Sequence, residues 1–268
     1  MEQDTGKFRT NSKDQFYTKP DIAKMCIANI LTIIPDINEY VWIEPSAGNG
    51  SFFNNIPIGV DKIGIDIEPK TKDVLKEDFL TWNQPTKNSK TIVVGNPPFG
   101  RQSSLAKAFI KKSCKFADIV AFILPRSFMK PSNSIAFDAK FHCIFTIELE
   151  KNSFEINGKS YNVNCIFQTY QKHLIDRIIP NKILPIGFKY TNSDEPFDLV
   201  IKRVGGLAGK CYFPQSKTFN PHTHYFLKLF SNNTNVIEKI NSHIFPSNTV
   251  GPRSLSKSEI NEVVNSFL

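Results

Sequence analysis

Thr91-Ile-Val-Val-Gly95 runs directly into Asn96-Pro-Pro-Phe99, and this junction decides how the chain is read. The β-branched run predicts a buried strand. Two prolines then end the ladder, because neither carries an amide hydrogen. Each also drives the residue before it toward extended backbone. The result is a stiff loop at the carboxyl end of a central strand, the place where open α/β sheets hold their ligands. The loop offers an amide side chain (Asn96), fixed carbonyls in the Pro97-Pro98 pair, and an aromatic face (Phe99). Such a set can hold a planar amino group and stack on the ring that carries it. Taken alone, the tetrapeptide reads more readily as a rigid turn without chemistry.

Three upstream segments change that weighting. Val41-Trp-Ile-Glu-Pro-Ser-Ala-Gly-Asn-Gly50 is an apolar strand ending in an acid, Glu44, followed by Pro45 and a bend at Gly48 and Gly50. Glycines there permit positive φ and close approach of backbone amides to a ligand. The apolar residues that follow, Phe52 and Phe53, suggest the start of a helix. The bend lacks the third glycine of a dinucleotide fingerprint and the Gly-Lys-Ser/Thr of a P-loop, and a plain strand-to-helix turn explains it as well. Ile63-Gly-Ile-Asp-Ile-Glu68 is a short strand ending in Asp66, an acid placed where ribose hydroxyls are commonly bound. Val74 to Phe79 ends in Asp78-Phe79, one polar and one ring contact for an adenine, or simply a solvated loop acid.

In that order and at those spacings, the Glu-Pro-x-x-Gly-x-Gly, Asp66-Ile67, Asp78-Phe79 and Asn-Pro-Pro-Phe elements resemble the S-adenosylmethionine-dependent N6-adenine DNA methyltransferases. Asp14 to Pro20 is similar to the Tyr-Thr-Pro segment that precedes the glycine loop in the gamma-ordered members, and departs from it by Lys19 between Thr18 and Pro20. The resemblance spans roughly residues 14–172. It implies methyl transfer from S-adenosylmethionine to the N6 amine of adenine, with Asn96, Pro97, Pro98 and Phe99 as the catalytic set. It further implies that Tyr17, Thr18, Glu44, Pro45, Gly48 and Gly50 hold the methionine end. Asp66 would take the ribose, Ile67 and Phe79 the two adenine faces, and Asp78 the adenine amine. Phe154 falls where a second base-stacking aromatic would sit, and plain core packing explains it equally.

Composition agrees with an enzyme of this size. Of 268 residues 40% are hydrophobic, enough for a real core, and no stretch approaches the roughly 18 apolar residues of a membrane span. The polar N-terminus carries no visible secretory signal, so a cytoplasmic, nucleoid or nuclear location is expected. Cys26, Cys114, Cys143, Cys165 and Cys211 are widely spaced, which favours reduced and mostly buried thiols. His222-Thr-His224 has no partner ligand nearby, and no metal is expected.

The organisation along the chain is a mobile N-terminus (1–13), a catalytic domain (14–178) and a small basic domain (179–268). The catalytic domain reads as a Rossmann-like, doubly wound, mostly parallel seven-stranded α/β sheet with an antiparallel last strand. Its elements are a helix from Asp21 to Ile34, strands at 41–44, 63–67, 74–76, 91–95 and 118–125, and a helix from Ser104 to Phe116. Runs at 146–154 and 161–170 flank Asn157-Gly158, a strong hairpin signal.

Phe197 to Phe213 reads as two strands around a Gly-rich turn carrying Lys202, Arg203 and Lys210, and helices are expected around 235–243 and 256–266. The smaller region is thus α+β. Residues 170–268 hold 12 basic and 7 acidic residues, a surplus of five within the net +8. With the interleaved aromatics Tyr212, Phe213, Phe219, Tyr225 and Phe226, this suits a phosphate backbone, or just a solvated basic face. Lys202, Arg203 and Lys210 are the candidate substrate-docking cations. Nucleic acid is the expected partner, DNA ahead of RNA, and a partner subunit or homodimer is left open. RNA adenine methylation and a non-catalytic nucleic-acid-binding subunit are the competing readings.

Overall fold

The computed structural model describes residues 16–84, 89–156, 158–216, 218–231, 235–249 and 251–268. The expected mobile N-terminus, the start of the Asp14 segment and Asn157 lie outside the described residues. The chain divides into two compact units, Met1–Ile179 and Pro180–Leu268.

The first unit opens with β1 (Tyr17–Thr18) and α1 (Pro20–Ile33). Pro20 occupies the first turn of α1, where its fixed φ suits the helix and its missing N–H costs nothing. Ala23, Cys26, Ile27 and Ile30 recur at helical spacing and are the buried face. There follow β2 (Tyr40–Glu44), β3 (Lys62–Asp66), β4 (Val74–Lys76), β5 (Lys90–Gly95), α2 (Ser104–Ser113), β6 (Ile119–Pro125), the short α3 (Pro131–Ser134), β7 (Phe141–Glu148), β8 (Phe154–Ile156), β9 (Lys159–Tyr161) and β10 (Cys165–Lys172).

Seven of these strands form one sheet in the order β4-β3-β2-β5-β6-β10-β7. β2 is parallel to β3 and β5, and β5 to β6, whereas β10 runs antiparallel to both β6 and β7. This is a Rossmann-like sheet with its last strand reversed. From β2 the chain walks outward to β3 and β4, then returns to the other side of β2 as β5. The strand order therefore switches between β2 and β5, and a crevice opens at their carboxyl ends. Glu44 ends one strand and Gly95-Asn96 the other.

Two details differ from the sequence reading. No α-helix follows the glycine bend: residues 51–56 turn through a single 3-10 turn at Phe53–Asn55. Pro57 and Gly59 close behind it leave no room for a helix to propagate. Strand β7 starts at Phe141, earlier than expected, and the runs at 146–154 and 161–170 are not the two arms of one hairpin. Gly158, at φ +74, lies instead between β8 and β9, where Ile156 stands opposite Lys159. That hairpin pairs with β1 in a separate three-stranded sheet.

The second unit is an antiparallel sheet of β11 (Phe188–Thr191), β12 (Leu199–Lys202), β13 (Cys211–Tyr212) and β14 (His224–Leu229), ordered β11-β14-β12-β13, with α4 (Val236–Ser242) and α5 (Lys257–Asn265). Ser256 caps α5 in a reciprocal box with Glu259. Alternate strand residues (Phe188, Leu199, Ile201, Leu227) share a core with Ile240 and Ile260 of the helices. The other face packs Val200, Phe226 and Phe219. Two of the aromatics expected to meet nucleic acid, Phe219 and Phe226, are therefore buried, and among the five Phe213 is the most open. On β14, Leu227 turns toward the helices, so Phe226 falls on the opposite face, where Phe219 and Phe197 cover it.

Candidate active site

A cleft lies at the switch point, lined by Phe16, Tyr17, Thr18, Glu44, Ser46, Gly48, Asn49, Ser51, Phe52 and Asn96 among others, and encloses about 240 Å³ including its open mouth. Residues from three separate stretches of sequence, 16–18, 44–52 and Asn96, meet there.

The glycine bend is built as its residue types demand. Gly48 sits at φ +51 and Gly50 at φ +82, conformations costly for any residue with a Cβ. A Cβ on Gly48 would also lie 3.0 Å from the Tyr17 ring. The amides of the bend are committed inward rather than offered to a ligand. Gly48 N–H donates to Asp66 Oδ2 at 2.8 Å, and Gly50 N–H to the Ala47 carbonyl at 2.6 Å. Neither the Gly48 nor the Gly50 amide is therefore left free, whereas the resemblance implied that this bend holds the methionine end. The second oxygen of Asp66 accepts from Glu68 N–H at 2.7 Å, so Asp66 shapes both loops from the end of β3.

Asn96 is held from two directions. Its side-chain Nδ2 donates to the Phe16 carbonyl at 3.1 Å, and its own carbonyl accepts from Ser46 Oγ at 3.1 Å. Its Oδ1 is buried without a hydrogen-bond partner. Two other cleft-lining oxygens share that condition: Thr18 Oγ1 and Glu44 Oε2. Buried polar atoms are normally satisfied, so three orphans lining one cleft mark a place for a polar ligand. Glu44 is 2% exposed. Burial drives its carboxyl well above the ordinary range and the charge of Asp66 adds to this, while an amide hydrogen bond from Phe53 and the Lys62 charge oppose it. Pro45 and Pro97 are buried and Pro98 half-buried; Phe99 keeps 8% of its surface, and its carbonyl receives the amides of Leu105 and Ala106 that open α2. Gln102 and Ser103, just beyond, both adopt left-handed backbone.

The other expected residues divide. Ile67 is 65% exposed beside Asp66, able to cover a ring. Asp78 is exposed and accepts from Leu80 N–H at 2.9 Å. Phe79 is 1% exposed, with Trp82, Phe109 and Phe116 around it. It presents no face to an adenine, because an apolar cluster claims the ring first. Phe154 is likewise 1% exposed and is a core residue here, with no face for a base. In the second unit, Lys202 N–H meets the Lys210 carbonyl at 2.9 Å, which brings those two residues together across the turn. Arg203 instead lays its guanidinium over the Tyr225 ring at 5.4 Å. Sequence reading missed Phe16 and Ser46, whose contributions are a main-chain carbonyl and a hydroxyl with no motif of their own. Of the cysteines Cys26, Cys165 and Cys211 are buried, Cys114 is half-buried and Cys143 is exposed, so the thiols are mostly covered, as expected. No group of three metal-ligand side chains occurs among the described residues, nor any helix long and apolar enough to cross a membrane.

No protein-family model matches the chain, and no curated protein matches it. Among solved structures, it is similar to a provisional RNA methyltransferase from Pyrococcus horikoshii (19% identity, 63% of this chain and 92% of that one, TM-score 0.47). It is also similar to a type I restriction-modification methyltransferase subunit from Streptococcus thermophilus (17% identity, 63% of this chain and 47% of that one, TM-score 0.43). A third is magnesium protoporphyrin IX methyltransferase from Synechocystis PCC 6803, solved with bound S-adenosylmethionine (11% identity, 57% and 79%, TM-score 0.41).

Proposed function

We propose that the chain is an S-adenosylmethionine-dependent methyltransferase acting on the N6 amine of adenine in nucleic acid, DNA before RNA. The observation that carries this is the buried, unpartnered Oδ1 of Asn96 at the switch-point cleft. A carbonyl can only accept, so the Phe16 carbonyl claims the nitrogen of the Asn96 amide and leaves the oxygen to the cleft. That oxygen calls for a ligand N–H donor. An exocyclic amine carries two.

The residues present fit the cofactor. Glu44 Oε2 and Thr18 Oγ1 are orphaned polar atoms suited to an ammonium and a carboxylate. Asp66 stands at the strand end for ribose hydroxyls, Ile67 offers an open apolar surface for a purine, and Asp78 an exposed carboxylate for its amine. Bound there, S-adenosylmethionine supplies a methyl group on a positively charged sulfur.

Adenine N6 is a weak nucleophile because its lone pair is delocalised into the ring. Asn96 Oδ1 and the Pro97 carbonyl would accept hydrogen bonds from its two N–H groups, pulling the nitrogen toward tetrahedral geometry and localising the lone pair. Once the methyl has left the sulfur, the cationic nitrogen would lose one of those protons to water. No strong base is required of this loop, and none is in it. Phe99, which keeps 8% of its surface, would stack on the extruded base, worth about 1–3 kcal/mol. In a duplex the base must first leave the stack. Most of the acceleration would come from alignment, for which about 7–11 kcal/mol is available. Lys202 and Lys210, adjacent on one turn of a basic unit, would contact phosphates.

The test is incubation with methyl-labelled S-adenosylmethionine and either DNA or RNA, followed by digestion to nucleosides. Label in N6-methyl-deoxyadenosine supports the proposal, label in N6-methyladenosine moves it to RNA, and label in neither rejects it.

A further inference from the structure

We infer that Tyr161 is a positioning residue for Asn96, acting through the main chain of Phe16. This rests on the role proposed for Asn96 and goes beyond it by naming what decides which way the amide faces.

The two ends of an asparagine amide are nearly the same size, so packing alone chooses poorly between them. Only a hydrogen-bond partner of fixed polarity distinguishes them. The Phe16 carbonyl is that partner, 3.1 Å from Nδ2. If it moves away, the amide is free to rotate and to present a donor where an acceptor is needed.

Phe16 lies just outside the two-residue strand β1, whose ladder to β8 pairs only Tyr17 with Glu155 and Thr18 with Phe154. A ladder this short holds little by itself. Beyond Thr18 the segment is tied down by Lys19, whose N–H reaches the Ser153 carbonyl at 3.1 Å and whose Nζ reaches Ser160 Oγ at 2.8 Å. On the Phe16 side, the ring of Phe16 packs on Tyr161 with centroids 5.2 Å apart. Tyr161 is itself anchored in β9 opposite Phe154, a core residue. The chain of contacts runs from the buried Phe154 to Tyr161, to Phe16, and from its carbonyl to Asn96. The hairpin around Gly158 thus aims a side chain some 60 residues upstream in sequence.

Two measurements test this. In the unliganded protein, exchange of the Asn96 Nδ2 protons with water is followed by NMR. It should be slow in the native chain and in Tyr161→Phe, which keeps the ring, and faster in Tyr161→Leu, which keeps apolar bulk but not the ring. The second is a double-mutant cycle on single-turnover methyl transfer. Asn96→Asp retains acceptor oxygens but has no N–H for the Phe16 carbonyl. Tyr161→Leu should slow transfer about tenfold in the native Asn96 background and leave it about unchanged in the Asn96→Asp background. Equal slowing in both backgrounds, or exchange indifferent to Tyr161→Leu, overturns the inference. The exchange measurement needs neither donor nor nucleic acid, so it reads the brace even if the native chain methylates no adenine, the result that would reject the functional proposal instead.

Discussion

Gly48 donates its amide to Asp66 Oδ2 at 2.8 Å, tying the bend after β2 to the end of β3. With Glu68 N–H on the other oxygen, one carboxylate ties the glycine bend that lines the cleft to the loop after β3. Asp66→Ala should therefore cost about 1–2 kcal/mol of stability, the lower range for charge-assisted bonds because the side chain is half-exposed. It should weaken donor binding as well. Denaturant midpoints and donor titration check both; a stable variant with weak binding would mean that the carboxylate serves the ligand alone.

Glu44 gives a pH signature. Its carboxyl is pushed up from 4.5 chiefly by burial. In the window between the ordinary value and the raised one, the folded chain holds a proton that the unfolded chain has lost. Stability from this group is full below the window and falls as pH rises through it. Urea midpoints of the native chain, compared with Glu44→Gln, should show that relative decline. A parallel pH dependence in both proteins would contradict it.

Gly50→Ala should destabilise by about 1–2 kcal/mol, the left-handed backbone cost, with more from crowding. Its added methyl would lie 2.9 Å from Asn54 Nδ2 and 3.0 Å from Thr71 Cγ2. Thermal unfolding reads this directly, and an unchanged midpoint would refute the geometry of the bend.

Phe79 separates two accounts of one residue. As a core ring among Trp82, Phe109 and Phe116, its change to Ala should cost about 3–5 kcal/mol, while Phe79→Leu should keep donor affinity close to native. Selective loss of affinity in the Leu variant would instead restore Phe79 to the adenine site.

What was legible in the sequence was local. Helices were expected over 21–34 and around 256–266, close to where α1 and α5 stand, because the φ of Pro20 and the cap at Ser256 act within a single turn. Gly48 and Gly50 have positive φ as their residue type suggests, and Asn96 stands at a strand end because prolines stop a ladder wherever they occur. What escaped was decided by distant partners. Phe79 and Ile67 look alike in a motif, yet an apolar cluster takes Phe79 and leaves Ile67 open. Phe16 contributes only a carbonyl, which no residue type advertises. Strand β14 was missed because Tyr225 and Phe226 read as ligand aromatics, whereas they belong to a strand held between β11 and β12.

The central claim is that Asn96 grips an exocyclic amine while the rest of the cleft holds the methyl donor. Single-turnover methyl transfer by Asn96→Ala, with donor affinity measured on the same preparation, tests it most directly. The account predicts at least about a hundredfold loss of transfer, as when a preorganised hydrogen bond to the reacting group is removed, with donor affinity close to native. A variant that transfers methyl at the native rate would contradict it.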